Sequence, residues 1–120
     1  MANESLTVVY IAGPYRADTI NATLTNIARA RESALSVWRA GYVALCPHLN
    51  SALMDGAVPD QIFLDGDLEL LARCDAMLCL TGAEKSEGTT HELQRARELQ
   101  IPIYYTLYDL TSWGKKGEKP

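Results

Sequence analysis

Leu6-Thr7-Val8-Val9-Tyr10-Ile11-Ala12 runs straight into Gly13-Pro14, and this junction decides the fold. The run is apolar and β-branched with no charged residue, so it reads as a strand buried on both faces. Gly13 and Pro14 end it, since neither supports a regular strand. A strand of that kind needs helices above and below it, which is the setting of a parallel sheet. Working outward, Ile20, Leu24, Ile27, Ala28, Ala34, Leu35 and Trp38 recur at helical spacing between Thr19 and Ala40, with Arg29, Glu32 and Arg39 elsewhere on the surface. Gly41 stops that helix. Tyr42 to Cys46 predicts a second strand, broken by Pro47, and Leu49 to Met54 a short helical turn before the loop Asp55-Gly56-Ala57-Val58-Pro59. A helix from Asp60 to Arg73, a strand from Ala76 to Leu80, a loop from Gly82 to Gly88, a helix from Thr89 to Gln100 and a strand from Ile103 to Leu107 follow. Thr111 to Pro120 reads as a polar tail.

This β-α-β-α-β-α-β succession, joined by right-handed crossovers, predicts an α/β three-layer sandwich around a parallel sheet of four to five strands. Ligands in such folds bind beyond the carboxyl ends of the strands. Three segments fall at that edge: Gly13-Pro14-Tyr15-Arg16, Pro47-His48-Leu49-Asn50, and Thr81 to Glu92.

Composition narrows the function classes. A chain of 120 residues, 48% hydrophobic and 22% charged, is expected to form one soluble domain over residues 1–120. A formal net charge of -4 disfavours nucleic-acid polymers and anionic membranes as partners. Cys46, Cys74 and Cys79 are odd in number, lack CxxC spacing and lie in or beside apolar segments, as reduced core thiols do. Cys46, His48 and His91 match no zinc spacing, so no metal is expected. Nothing in the sequence marks secretion or a membrane span, which leaves the cytoplasm as the expected location. The G-x-G-x-x-G fingerprint is missing after the first strand, so no dinucleotide and no other cofactor is expected.

Two carboxylates stand where packing alone would not put them. On a helix turning about 100° per residue, Phe63, Leu64, Leu68, Leu70 and Leu71 share one arc. Asp67 falls near the centre of that arc, with Asp60 on the same line. Asp60 after Pro59 has a structural reading as an acid favoured by the helix dipole. Asp67 has none beyond pairing with an Arg or backbone donors, and a cleft carboxylate with a raised pKa is what general acid-base catalysis requires. Glu92 is expected in the first turn of its helix. There Thr89-Thr90-His91-Glu92 spells the T-x-x-E capping box, and the dipole would also keep a nucleophilic carboxylate ionised. Arg16 could answer a phosphate, and His48 could stack on a base or touch that phosphate. His91, about 100° away from Glu92, reads as a bystander.

Taken together, Tyr10-Ile11-Ala12-Gly13-Pro14-Tyr15-Arg16, Asp67-Leu68-Glu69-Leu70-Leu71 with Cys74-Asp75-Ala76, and Ser86-Glu87-Gly88-Thr89-Thr90-His91-Glu92-Leu93 resemble the nucleoside 2-deoxyribosyltransferase superfamily. That superfamily includes 2'-deoxynucleoside 5'-monophosphate N-glycosidases and small phage or bacterial domains. The resemblance runs in order from Val8 to about Leu107 and implies a Rossmann/flavodoxin-like fold. It makes Glu92 the nucleophile toward an anomeric carbon, with Asp67 holding or protonating the base and Tyr10 orienting the nucleophile or sugar. Ser86 and Gly88 would contact sugar or 5'-phosphate, and Gly13, Tyr15, Arg16 and His48 would complete substrate binding. The partner implied is a small-molecule nucleoside or nucleotide, and a homodimer or larger homo-oligomer is expected. Transferases of this kind complete the site with a neighbour's Asn, whereas no Asn follows Asn50 here. The resemblance leaves Thr111 or Ser112 to supply instead the hydroxyl that the shorter N-glycosidases use, which tilts the expectation toward nucleotide hydrolysis. The alternative is a catalytically silent nucleotide-binding or sensing domain, with Glu92 only a cap. The expectation to be met is that Asp67 and Glu92 face one cavity, with Arg16 and Ser86 at its phosphate end.

Overall fold

A computed structural model describes residues 5–112, apart from the side chain of Glu84. Met1 to Glu4 lie outside the described residues, as does the expected polar tail from Trp113 onward. Four parallel strands, β1 (Val8–Ala12), β2 (Val43–Leu45), β3 (Ala76–Cys79) and β4 (Ile103–Tyr104), stand in the order β2-β1-β3-β4. Between them run α1 (Ile20–Arg39), α2 (Pro47–Asn50), α3 (Asp60–Ala72) and α4 (Glu87–Glu98), and α5 (Leu107–Thr111) follows β4. This is the flavodoxin-like α/β arrangement that the alternating pattern predicts.

The central strand explains the layers. Val9 pairs with Ala44 and Ala76, and Tyr10 with Leu45 and Met77, so β1 is hydrogen-bonded on both sides. Side chains alternate across a strand. Val9 and Ile11 therefore join Ala30, Ala34 and Val37 of α1 and Leu110 of α5 in one core. Tyr10 and Ala12 point the other way, into a second core with Leu71 of α3 and Leu93 and Ala96 of α4. All four of these β1 residues are buried. At the far end of the sheet Asp75 accepts from the Val8 amide at 2.9 Å, satisfying the first N–H of β1.

Several boundaries differ from expectation, for local reasons. The fourth strand ends at Tyr104 rather than Leu107, because the Thr106 hydroxyl accepts from the Asp109 amide at 3.0 Å and starts α5. The short helix after β2 begins at Pro47, where a missing N–H costs nothing, and not at Leu49. Helix α4 starts at Glu87, not Thr89, since Ser86 is its N-cap and accepts from the Thr89 amide. Of the tyrosines near the C-terminus, Tyr104 packs against the α1-side core, whereas Tyr105 and Tyr108 are exposed. Cys46, Cys74 and Cys79 are buried thiols outside any disulfide. Among the described residues no helix is long and apolar enough to cross a membrane.

Candidate active site

The face chosen by β1 brings Tyr10 beneath α3 and α4, and the site is built from there. The Tyr10 hydroxyl donates a hydrogen bond to a carboxylate oxygen of Glu92. Tyr10 is fully buried and Glu92 partly so. Glu92 is the sixth residue of α4, in its second turn rather than its first, and the capping box does not form. Ser86 takes the capping role, which leaves the Glu92 carboxylate to meet Tyr10. Burial pushes Glu92 up to about 7; the Tyr10 hydrogen bond pulls it down and the charge of Asp67 pushes it further up. Tyr10 itself is raised by burial and then by Glu92 and Asp67, so its hydroxyl stays protonated and remains a donor. Asp67, half-buried on α3, is pushed up to about 6 by burial. Among the described residues no cation or hydrogen-bond donor is paired with it.

Tyr10, Asp67 and Glu92 thus form one electrostatic unit, two carboxylates and a phenol with no positive charge among their causes of shift. Such a set holds a proton near neutral pH, which is what acid-base and nucleophilic chemistry at a glycosidic centre needs. Thr89 was read from the sequence only as a possible cap. It is 1% exposed, one turn before Glu92 on α4, and its hydroxyl has no hydrogen-bond partner among the described residues. Its spacing of three from Glu92 was the signal available in the sequence.

The other expected site residues divide into two sets. Ser86 and Gly88 sit at the start of α4, where Gly88 lies beside Leu64 of α3: a Cβ built on it would be 3.8 Å from Leu64 Cδ2. Gly13 is closely packed: a Cβ there would stand 3.1 Å from Leu80 Cβ, so the Leu80 side chain would have to shift to admit one. Tyr15, Arg16 and His48 instead join a lattice of their own. The Tyr15 hydroxyl donates to Asp55 at 2.7 Å and accepts from the Leu53 amide at 2.9 Å. Arg16 makes a bidentate pair with Asp60, Nη1 at 2.9 Å and Nη2 at 2.6 Å, and its Nε lies 3.4 Å from Asp55. His48 is buried; its Nε2 donates to the Pro14 carbonyl at 2.9 Å, and its ring meets Tyr15 edge-on at 5.6 Å. Burial lowers its pKa, so it adds no charge near neutral pH. Asp55, missed by the sequence reading because it looked like loop, ties this lattice together.

Concavity and chemistry part company here. Hollows of about 230 Å³, bordered by Arg29, Ser33, Leu80, Thr81 and Tyr105, and about 360 Å³, bordered by Trp38, Cys46, Leu49 and Leu70, are lined by none of Tyr10, Asp67 and Glu92. The carboxylates mark the candidate site, because half-buried acids with no cation beside them cost stability and need a use. No group of three His, Cys, Asp or Glu side chains that could hold a metal ion occurs among the described residues.

The fold and this cluster define a flavodoxin-like α/β protein with two carboxylates and a strand tyrosine grouped under α3 and α4. Residues 7–106 match the family described as Domain of unknown function (DUF7768), and the chain belongs to that family. Its fold is similar to that of a 2-deoxyribosyltransferase from the psychrotolerant bacterium Bacillus psychrosaccharolyticus, a biocatalyst for nucleoside synthesis. The two share 20% identity with a TM-score of 0.58, over 81% of this chain and 69% of that one. No curated protein matches the chain.

Proposed function

We propose that this protein cleaves or transfers the N-glycosidic bond of a nucleoside, deoxynucleoside or its 5'-monophosphate. The observation that carries the reading is the Tyr10 hydroxyl bonded to Glu92 with the charge of Asp67 felt at both. The likeness in fold to an enzyme acting on nucleosides supports it. Ionised Glu92 attacks the anomeric carbon, and the bond from that carbon to the base nitrogen breaks with its electron pair going to the base. Asp67 in its protonated form gives its proton to the departing base. Glu92 is left as a glycosyl ester. Water, or a second base, then attacks the same carbon and gives its proton to the Asp67 carboxylate, which releases free sugar or a new nucleoside respectively and restores Glu92. Tyr10 holds the carboxylate in place throughout and favours its charged form.

Self-association fits the same reading. Exposed Tyr105 and Tyr108 offer apolar contact area, and Thr111 and Ser112 beside them could reach a neighbour's site. Their hydroxyls donate to the Tyr108 carbonyl at 3.1 and 2.8 Å in the single chain.

The test is to incubate the purified protein with each nucleoside, deoxynucleoside and 5'-monophosphate and to measure free base, alongside intact-mass detection of a glycosyl adduct. Base release that Glu92→Ala abolishes while the far-UV CD spectrum is kept is the expected result. Release that survives this substitution overturns the mechanism, and binding without any release points to a sensing domain.

A further inference from the structure

We propose that the hollow of about 230 Å³ between α1 and the ends of β3 and β4 binds a small organic monoanion, a carboxylate carried on an apolar ring or branched chain. This second site does not depend on the reading of Glu92 and Asp67.

Its place in the fold is one where ligands of such sheets sit, beyond the carboxyl ends of the strands: Leu80 and Thr81 follow β3, and Tyr105 follows β4. The hollow lies on the α1 face. Leu78 belongs to the core that β1 shares with α1, and Leu80 packs against that core, whereas Tyr10 turns into the core on the opposite face. The sheet therefore stands between this hollow and the Tyr10–Glu92 pair.

Helix α1 supplies the cation. Arg29 and Ser33 stand four residues apart on one line of the helix, beside the buried row Ala30, Ala34 and Val37 that seats α1 on the sheet. From that line Arg29 reaches to the loop after β3, where its Nη2 donates to the Thr81 carbonyl at 3.4 Å. A bond that long is weak, and a guanidinium has four further N–H donors. Arg16, Arg31, Arg73 and Arg95 each have an acid partner, but among the described residues no carboxylate pairs with Arg29. Most of its fork is open to an anion.

Hydroxyls stand beside it. Those of Ser33 and Thr81 have no hydrogen-bond partner among the described residues, and that of Thr106 accepts from the Asp109 amide at 3.0 Å while keeping its own proton to give. Ser36 is different, since its hydroxyl already donates to the Glu32 carbonyl.

The ligand class follows from what the walls satisfy. Among the described residues bordering the hollow there is one cation and no acid, so one negative charge is matched and a second is not. The planar fork of an arginine fits a carboxylate with two parallel bonds. Leu78, Leu80, Leu107 and the ring of Tyr105 make up the rest of the wall, and an apolar body covers them at a gain that a bare inorganic ion cannot supply. Size sets the limit. The hollow is smaller than the roughly 300 to 1,000 Å³ of sites for drug-sized molecules, which leaves room for about ten non-hydrogen atoms.

The experiment titrates the whole chain with sodium benzoate at constant ionic strength and follows amide and arginine side-chain signals by nuclear magnetic resonance. We expect saturable shifts at Arg29, Ser33, Thr81 and Thr106, with a Kd of about 0.1 to 10 mM for a ligand this small. Benzyl alcohol, which keeps the ring without the charge, and inorganic phosphate, which keeps charge without the ring, should each bind at least about tenfold more weakly. Arg29→Gln should weaken benzoate at least about tenfold, and so should Ser33→Asp, which sets a carboxylate one turn away to take the Arg29 fork. No saturation by about 50 mM, or shifts centred on other residues, overturns the site. Benzyl alcohol or phosphate binding as well as benzoate overturns the ligand class, and benzoate binding that survives Arg29→Gln removes the arginine from it. Should Arg29→Gln disturb the fold, Ser33→Asp and the three probes on the wild-type protein decide.

Discussion

Helix α3 carries two acids on one line, Asp60 at its start and Asp67 two turns later, and their surroundings differ in every way that matters. Asp60 is exposed and clasped by Arg16, whose hydrogen bonds hold its carboxyl below the usual carboxylate range. Asp67 is half-buried and has no cation, and burial pushes it up to about 6. An exposed, paired acid adds little to stability and changes nothing chemically. An unpaired, partly buried one costs stability and holds a proton near neutral pH. The lesson is that residue type does not separate a strut from a reactive group; partners and solvent do.

The largest expected break of this contrast comes from Glu92→Gln. It removes the nucleophile but keeps an oxygen for the Tyr10 hydroxyl, so base release should fall by about a thousandfold or more. The fold should become more stable at pH 8. With its folded pKa at about 7 and its unfolded value near the ordinary carboxylate range, Glu92 favours the folded state only below that lower value. That contribution disappears as pH rises to about 7, a loss on the order of 2 to 3 kcal/mol that Gln does not incur. Thermal melting at pH 5 and pH 8 checks the sign: a variant no more stable than wild type at pH 8 would place Glu92 in solvent.

Asp67→Asn removes the proton donor and should cost about a hundredfold or more in base release. It should also erase one limb of a bell-shaped pH profile that in the wild type peaks between about 6 and 7, where the pair shares one proton; that proton rests mainly on Glu92, and the reacting form is the minor one that carries it on Asp67. A profile flat from pH 5 to 8 would contradict the pairing of the two acids.

Tyr10→Phe sharpens the contrast by removing only the donor. Burial and the charge of Asp67 then act on Glu92 unopposed, so its pKa should rise above about 7 and the limb it governs should move to higher pH. About a tenfold fall in rate at pH 6.5 should accompany the move. The smallest effect belongs to the exposed lattice. Arg16→Ala breaks an ion pair open to solvent and should leave the melting temperature within about 2 °C of wild type. A larger drop would mean that the Tyr15–Asp55 and Arg16–Asp60 contacts act as one network.

How much of this could be read beforehand differs from element to element. The run from Val8 to Ala12 announces itself as a strand, because nothing else accommodates five apolar, largely β-branched residues closed by Gly-Pro. The position of Asp67 in an apolar arc was equally legible, since periodicity alone puts it there. The start of α4 was not. Ser86 and Thr89 are both good caps, and the choice between them goes with Thr89 being buried, which no local pattern records. The fate of Arg16 was less legible still: its partner Asp60 lies 44 residues further along the chain.

By itself, then, the order of residues determined the layers of this protein and which acids were out of place, because side-chain alternation and helical period are short-range consequences of backbone geometry. Only the folded chain decided which acid met Tyr10 and which met Arg16. Those pairings depend on distances between segments far apart in sequence and on how much water remains around each carboxylate, and burial of that kind exists only once the helices have packed on the sheet.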